Sequence, residues 1–234
     1  MALKFWTILE TDKYNIGLTS RTIYIYDKQG NEIIKFKDLY YAYNGCVSNN
    51  QTLLAVKSTE GRIAIYSLEK LELIKKFRFS KVDGAQDDNF IFSQDDKYLF
   101  NIERHISSTN SKLAIYNTND FSLEKYLLDT NDNLVLSIIE FDKESNNYFL
   151  LGFLRDLQTR VAKSFFIAKL IGEELQDMKF INEAEYSFLI AAKNVEFAGF
   201  TEDSYKWSFI FKTVSLNDLK SMNLSLSHKW NEKD

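Results

Sequence analysis

The sequence predicts an all-β protein built from five consecutive units of four antiparallel strands. A short apolar strand recurs along the chain at intervals of roughly 40–50 residues. An apolar hairpin precedes each copy, and a polar turn with a further strand follows it. Aromatic residues make up 15% of the chain, with 19 Phe and 13 Tyr, and such enrichment favours strands.

The recurring strand, called strand c, is apolar at successive positions. Its clear copies are 22–26 (TIYIY), 62–66 (RIAIY) and 112–116 (KLAIY), and its weaker copies are 164–168 (SFFIA) and 206–210 (KWSFI). In the second copy, Ile63 and Ile65 face one side of the strand, while Ala64 and Tyr66 face the other. A strand that is apolar on both sides must be covered on both sides. We therefore expect each unit to be packed between two others.

Strands a and b are predicted on either side of a polar turn that precedes strand c. The turn is alike in the second and third units, VSNNQTLLAV at 47–56 and FSQDDKYLF at 92–100, with a looser parallel, FDKESNNYFL, at 141–150. Asn and Asp suit such turns because they tolerate left-handed backbone and form local hydrogen bonds. Strand d follows strand c at 32–36, 72–79, 123–128, 175–180 and 222–226.

The units are predicted at 4–38, 41–80, 88–129, 133–181 and 184–228. No linker or low-complexity segment divides them. We therefore expect one domain over residues 1–234.

These motifs resemble those of the WD-repeat and YVTN-like β-propeller superfamily. The resemblance rests on FSQDDKYLF, VSNNQTLLAV and the three strands that contain Ile-Tyr. Tyr26-Asp27 stands where the Trp-Asp pair of the family falls, whereas the Gly-His that opens typical WD repeats is absent. The resemblance implies a five-bladed β-propeller in which each unit is one blade. Most members of the superfamily bind protein partners, but a shared fold does not establish a shared function.

The turn of the third blade departs from the family pattern. Gln94 stands where proline is usual, and Asp96 stands where glycine is usual. The chain contains no proline and fills comparable turns with Asn and Asp. We interpret the departure as sequence drift, on the face opposite the b–c loops.

Composition limits the classes of function. The net charge is −4, which argues against a general nucleic-acid-binding surface. The single cysteine, Cys46, cannot form an internal disulfide. Lys4 and Glu10 interrupt the apolar core that a secretory signal needs, and no apolar run approaches the length of a membrane span. These features predict a cytoplasmic protein that does not contact membranes.

No catalytic or metal-binding motif is present, so we predict a non-enzymatic protein without a cofactor. The chain lacks zinc-ligand spacing, a glycine-rich phosphate loop and the GxSxG motif. An alternative is a carbohydrate-binding or glycoside-hydrolysing five-bladed propeller with paired carboxylates. The acidic residues on or near the predicted inner strands are Glu10, Asp88, Glu140, Asp142 and Glu185. Their spacing in the sequence does not establish the separation of carboxyl groups that such chemistry needs.

Basic residues cluster at one end of the predicted blades. Each blade has Arg or Lys at or beside the start of strand c: Arg21, Arg62, Lys112, Lys163 and Lys206. Further arginines lie around the b–c loops: Arg104, Arg155 and Arg160. In a propeller the b–c and d–a loops share one face, so a basic face is predicted, flanked by long loops at 80–87 and 105–110. Alternatively, these charges only solvate strand ends and protect exposed edges.

The most specific functional prediction is a non-catalytic binding module. It would recognise a protein partner of acidic character through the b–c/d–a face, because arginine binds carboxylates in a bidentate manner. The role would be a scaffold subunit or an inhibitor or immunity-type protein, acting as a monomer or in a hetero-complex. The predicted partner-binding residues are Arg62, Arg104, His105, Lys112, Arg155, Arg160 and Lys206.

Overall fold

The computed structural model describes residues 5, 7–79, 90–104, 111–129, 133–142, 146–159, 161–184 and 186. Within these ranges the chain forms four antiparallel sheets of four strands each. The strands cross every sheet in chain order, so each sheet is a simple meander from an inner strand a to an outer strand d.

The strand bounds follow the predicted repeat. The first sheet contains β1 (Thr7–Glu10), β2 (Tyr14–Leu18), β3 (Ile23–Asp27) and β4 (Glu32–Phe36). The second contains β5 (Ala42–Val47), β6 (Leu53–Ser58), β7 (Arg62–Ser67) and β8 (Glu72–Arg78). The third contains β9 (Phe90–Phe92), β10 (Tyr98–Arg104), β11 (Ser111–Asn117) and β12 (Leu123–Asp129). The fourth contains β13 (Leu134–Asp142), β14 (Asn147–Arg155), β15 (Ala162–Ile171) and β16 (Glu174–Ile181). These sheets lie within the first four predicted units, whereas the fifth, 184–228, lies outside the described residues except for 184 and 186.

Successive sheets stack face to face around their innermost strands. β1 contacts β5, β5 contacts β9, and β9 contacts β13. In the described part of the chain, the apolar core forms three clusters, one at each contact between successive sheets. The all-β prediction and its four-stranded antiparallel sheets are therefore confirmed.

Strand β7 shows why both faces of a middle strand are apolar. Ala64 and Tyr66 belong to the cluster shared with the first sheet. Ile63 and Ile65 belong to the cluster shared with the third sheet. All four are fully buried, as expected for a strand between two layers. The prediction from alternation is confirmed residue by residue.

A tyrosine near the end of strand c packs against the preceding sheet at two of the contacts between sheets. The Tyr66 ring lies 4.6 Å from the Phe36 ring on β4, and the Tyr116 ring lies 5.0 Å from the Phe77 ring on β8. The Tyr66 hydroxyl donates to Asp38 Oδ2 at 3.4 Å. Burial, followed by the nearby negative charge of an acidic side chain, raises the pKa of both tyrosines.

These two tyrosines predict a loss of stability at alkaline pH. Above the ordinary tyrosine pKa of 10.0, the unfolded chain releases protons that the folded chain retains. The free energy of unfolding should therefore be unaffected below that pH and fall above it, by about 1.4 kcal/mol per pH unit for each tyrosine. Urea unfolding at a series of pH values from 8 to 11.5 measures this slope. Tyr66→Phe should lower the slope by about 1.4 kcal/mol per pH unit, because only the contribution of Tyr66 is removed. Equal slopes for the two proteins would contradict the assignment.

The a–b turns carry hydrogen bonds between neighbouring sheets. Asp96 has the left-handed φ of 58° that favours glycine at this position. Its Oδ1 accepts from Asn49 N at 2.8 Å and Asn49 Nδ2 at 2.9 Å, and its Oδ2 accepts from Asn50 N at 2.8 Å. At the equivalent turn of the second sheet, Gln51 Oε1 accepts from Asp12 N of the first at 2.7 Å. Asp96 thus joins two sheets, a structural role that the interpretation as sequence drift did not include.

Asp96→Gly, which introduces the residue usual in WD-repeat turns, should destabilise the protein. Glycine relieves backbone strain of about 1 kcal/mol, but the substitution removes an acceptor of three charge-assisted hydrogen bonds. We expect a net loss of about 1 kcal/mol in the free energy of unfolding, measured by urea denaturation. Asn146→Gly is the matched control, because Asn146 also has a left-handed φ, 54°, at the equivalent turn of the fourth sheet. That variant should stay within about 0.5 kcal/mol of the parent. A stabilised Asp96→Gly protein would contradict this prediction.

Candidate functional site

The b–c ends of the four described sheets carry the basic residues that the sequence singled out. Arg62 begins β7, and Lys112 and Lys163 are the second residues of β11 and β15. Arg155 ends β14, while Arg21 precedes β3 in the turn after β2. The meander order places these positions at the same end of each sheet as the d–a connections.

Several of these side chains already have partners within the protein. Arg62 forms an ion pair with Glu60 at 3.7 Å. The Lys112 ammonium lies 4.8 Å from the centroid of the Tyr126 ring on the outer strand β12. The Arg155 guanidinium is half-buried and lies 5.7 Å from the centroid of the Phe153 ring. Lys163 is exposed, and its charge contributes to the lowered pKa of Asp156, behind hydrogen bonds from Thr159 and Gln158.

Four further predicted partner-binding residues lie outside the described part of the chain or at its edge. His105, Arg160 and Lys206 lie outside the described residues, and for Arg104 only the backbone at the end of β10 is described. The long loop at 105–110 and all of the 80–87 loop also lie outside them.

Exposed apolar side chains share this end of the sheets, and the sequence prediction missed them. Tyr40 and Tyr41 lie in the d–a connection between β4 and β5 and are 54% and 50% exposed. Leu157 and Val161 lie in the b–c turn between β14 and β15 and are 59% and 63% exposed. Residue type alone gave no reason to expect this, because tyrosine and leucine are usually at least partly buried.

A buried polar cluster joins the second and third sheets near the same end. Lys57 on β6 is fully buried, and its Nζ donates to Ile102 O at 2.7 Å. The same ammonium lies 5.1 Å and 5.8 Å from the ring centroids of Phe79 and Phe90. On β10, the buried Glu103 accepts from the Tyr116 hydroxyl at 2.6 Å through Oε1. Because Lys57 and Glu103 are buried, this cluster is a structural link between the two sheets and not an accessible site.

Three acidic residues of the carbohydrate alternative lie on the innermost strands of the first and fourth sheets. Glu10 is exposed at the end of β1, whereas Glu140 is half-buried and Asp142 is buried on β13. Asp88 and Glu185 lie outside the described residues. In the part of the chain that the structure describes, no group of three or more His, Cys, Asp or Glu side chains is placed to hold a metal ion. No helix in that part has the length and apolar character needed to cross a membrane.

Comparison with known proteins places the fold. No family model matches the chain, and no curated protein matches it in sequence. Among solved structures, the WD40 repeats of RRP9 align with a TM-score of 0.53 at 11% identity, covering 77% of this chain and 52% of that one. U3-55K aligns with a TM-score of 0.53 at 13% identity, covering 75% and 51%. The fold is a WD-repeat-like β-propeller.

A further solved structure that aligns with this chain is not described by WD40 repeats. Hydrazine synthase from Kuenenia stuttgartiensis aligns with a TM-score of 0.57 at 10% identity, covering 73% of this chain and 51% of that one. At such identities the likeness concerns the fold alone. The chain spans about half the length of the solved structures it matches.

The side chain at the end of strand c forms hydrogen bonds within the c–d turn that follows. Asp27, at the position of the aspartate in the family's Trp-Asp pair, accepts from Gln29 N and Asn31 N through Oδ1 at 2.9 and 2.8 Å. Asn31 Nδ2 also donates to its Oδ2 at 2.8 Å. These hydrogen bonds, with that from Asn31 contributing most, lower the pKa of Asp27. At the equivalent position, Asn117 Oδ1 accepts from Asn119 N at 3.0 Å. Strand c therefore ends in a side chain that closes the c–d turn, on the face opposite the basic residues.

Proposed function

We propose that this propeller is a non-catalytic module that binds a protein partner through the face formed by its b–c and d–a loops. One observation carries the proposal: exposed apolar side chains and cationic side chains occur together at this end of the sheets. Tyr40, Tyr41, Leu157 and Val161 supply the apolar area, while Arg21 and Lys163 supply exposed positive charge. Protein interfaces combine aromatic anchors and arginine in this way.

The partner is expected to be acidic, and the module would act as a scaffold subunit or as an inhibitor of that partner. Arg62 is available only by exchange of its ion pair with Glu60, which is partly exposed and therefore weak. Arg155 contributes by packing on Phe153 as well as by charge. Lys112, Arg104, His105, Arg160 and Lys206 remain predicted contacts.

Affinity purification tests this proposal. The tagged chain is used as bait in lysate of its own organism, captured proteins are identified by mass spectrometry, and the complex is reconstituted from purified components. We expect Arg62→Glu and Lys163→Glu each to weaken the reconstituted complex about tenfold. Lys13→Glu is the control, because Lys13 is exposed in the a–b turn between β1 and β2 on the opposite face. If all three variants bind as the parent does, the proposed face is wrong. A glycoside hydrolase and glycan-binding screen that gave turnover or binding would favour the carbohydrate alternative.

We further propose that the ring has five blades, with 184–228 as the fifth. The first sheet has the aromatic side chains of Tyr24 and Tyr26 on the side away from the second sheet, where Phe5 packs on both. The fourth sheet has Phe153 and Phe165 on the side away from the third, with their ring centroids 6.1 Å apart. The second and third sheets are each covered by a neighbouring sheet on both sides. A fifth blade between the free sides of the first and fourth sheets would cover these two in the same way.

Amide hydrogen exchange on the full chain tests the blade count. The strand c copy at 206–210 should be protected to an extent similar to the copy at 112–116. Exchange at the rate of an unstructured peptide would contradict a fifth blade.

A further inference from the structure

The d–a connection between the first and second sheets presents two adjacent tyrosines on a fixed backbone. Its flanking residues, Leu39 and Ala42, are 2% and 1% exposed. Tyr40 O accepts from Ser58 Oγ at 2.5 Å, and Tyr41 O accepts from Thr59 N at 3.2 Å. The backbone between the rings and the core is therefore held by the b–c turn of the second sheet. Rings presented in this way lose little conformational entropy when a partner binds.

The backbone at Tyr41 is strained, and burial of the Tyr41 side chain does not offset the strain. Tyr41 has a φ of 54°, a left-handed conformation that is an outlier for a bulky residue. Leu71 and Phe121 also have positive φ, 55° and 53°, but both pack into the core: Phe121 is buried, and Leu71 packs against the cluster between the first two sheets. Tyr41 is half exposed instead. Strained conformations of bulky residues cluster at active sites, ligand clamps and switch regions.

The charge beside these rings is positive. The Arg21 guanidinium carbon lies 6.0 Å from the centroid of the Tyr40 ring, and Arg21 is exposed. Within the part of the chain that the structure describes, Arg21 forms no ion pair. Glu60, which follows Thr59 in the turn bonded to the Tyr41 carbonyl, pairs with Arg62. Asp38, two residues before Tyr40 in the chain, accepts the Tyr66 hydroxyl. The carboxylate of a partner could therefore bind Arg21 without displacing an acidic side chain of the described residues from an ion pair.

We infer that Arg21, Tyr40 and Tyr41, the tyrosine–arginine surface, anchor an acidic protein segment. An apolar side chain of that segment lies on the two tyrosine rings, and a neighbouring carboxylate pairs with the Arg21 guanidinium. This inference rests on the proposed function and gives it a specific docking point. A protein segment is favoured over a nucleic acid because this surface combines one arginine with two exposed tyrosines, whereas phosphate backbones are bound by several cations.

Tyr41→Gly separates binding from folding. Glycine adopts a φ of 54° without strain, so the variant should fold at least as well as the parent and have an equal or higher thermal midpoint. It also removes one of the two rings. Stability retained together with binding lost is a combination that a purely structural role for Tyr41 would not produce.

The probes are fluorescent 15-residue peptides of defined composition, measured by anisotropy against the full chain. One set carries Asp and Glu around a single Phe or Leu, a second carries the same acids without the apolar residue, and a third replaces the acids by Lys. A single-stranded oligonucleotide is included. We expect the first set to bind at least tenfold more tightly than the others. Tyr41→Gly and Arg21→Glu should each weaken that binding about tenfold or more, and only Arg21→Glu should also reduce its dependence on salt.

Phe180→Ala is the matched control, since Phe180 is 58% exposed but lies on the outer strand β16. It should leave peptide binding unchanged. The inference is overturned if the acidic apolar peptides bind no better than the lysine peptides, if Phe180→Ala weakens them as much as Tyr41→Gly does, or if the oligonucleotide binds instead. If a partner found by affinity purification binds Tyr41→Gly and Arg21→Glu normally but loses affinity on Arg62→Glu, the proposed function stands and this docking point does not.

Discussion

Gly152→Ala should lower the free energy of unfolding by roughly 3 kcal/mol, the upper end of the penalties for overpacking. Gly152 lies on β14 between Leu136 of β13 and Phe166 of β15. A Cβ atom added there would meet the backbone carbonyl oxygen of Val135 far inside van der Waals contact, and Phe166 Cζ at 2.7 Å. The ring could move only into the tightly packed cluster between the third and fourth sheets, and the carbonyl belongs to the adjacent strand. Neither obstacle can shift without a change in the sheet.

Gly30→Ala provides the comparison, because Gly30 has a φ of 87° and nothing within 4 Å of an added Cβ. That substitution should cost only the backbone strain, about 1 kcal/mol. Urea unfolding followed by circular dichroism gives both values. Equal losses for the two variants would show that the inner surface of β14 adapts, contrary to the packing described here.

The regular part of the fold could be predicted because strand periodicity is strict. Alternation of side chains in the strand c copies placed Ile63 and Ile65 against one neighbour and Tyr66 against the other, and the clusters have this composition. The same rule applied to β6 would have predicted the burial of Lys57, which faces the same way as Ala55 in a strand covered on both sides. The pattern LLAVKS contained that information, although lysine is rarely buried.

Contacts between blades were less accessible from the sequence. The carboxylate of Asp96 bonds to Asn49 and Asn50, which are more than 40 positions away and adjacent only because the sheets stack. The sequence showed that a glycine was missing but not what the aspartate reaches. Exposure at Tyr40 and Tyr41 depends likewise on the path of one short connection, and alternation says nothing about connections.

The structure also divides the basic residues into two groups that the sequence treated alike. Arg62, Lys112 and Arg155 contact Glu60, Tyr126 and Phe153 respectively. Arg21 and Lys163 are more exposed, and Arg21 lies beside Tyr40. Charge at strand ends thus serves both local structure and the proposed recognition face. Arg21, absent from the residues predicted to contact a partner, is now the most informative one to change.

The buried pair Glu103 and Tyr116 should show strong energetic coupling. The Tyr116 hydroxyl donates to Glu103 Oε1 at 2.6 Å, and Asn101 Nδ2 donates to the same oxygen at 3.2 Å, all within buried side chains. Glu103→Leu leaves the buried hydroxyl without this acceptor, so we expect a loss of roughly 3 kcal/mol. Tyr116→Phe takes one donor from a buried carboxylate and should cost about 1.5 kcal/mol.

The double variant, Glu103→Leu with Tyr116→Phe, should be less destabilised than the sum of the single losses by at least about 1 kcal/mol. Removing both partners of a buried hydrogen bond avoids the desolvated, unpaired group that each single change creates. Asn101 remains as a polar residue in either case, and its Oδ1 has no hydrogen-bond partner among the residues that the structure describes. The double variant should therefore not regain the full stability of the parent. Urea unfolding of the four proteins at pH 7 completes the cycle. Losses that add to within about 0.5 kcal/mol would mean that the two groups act independently, because additivity of that quality is typical of residues without shared contacts.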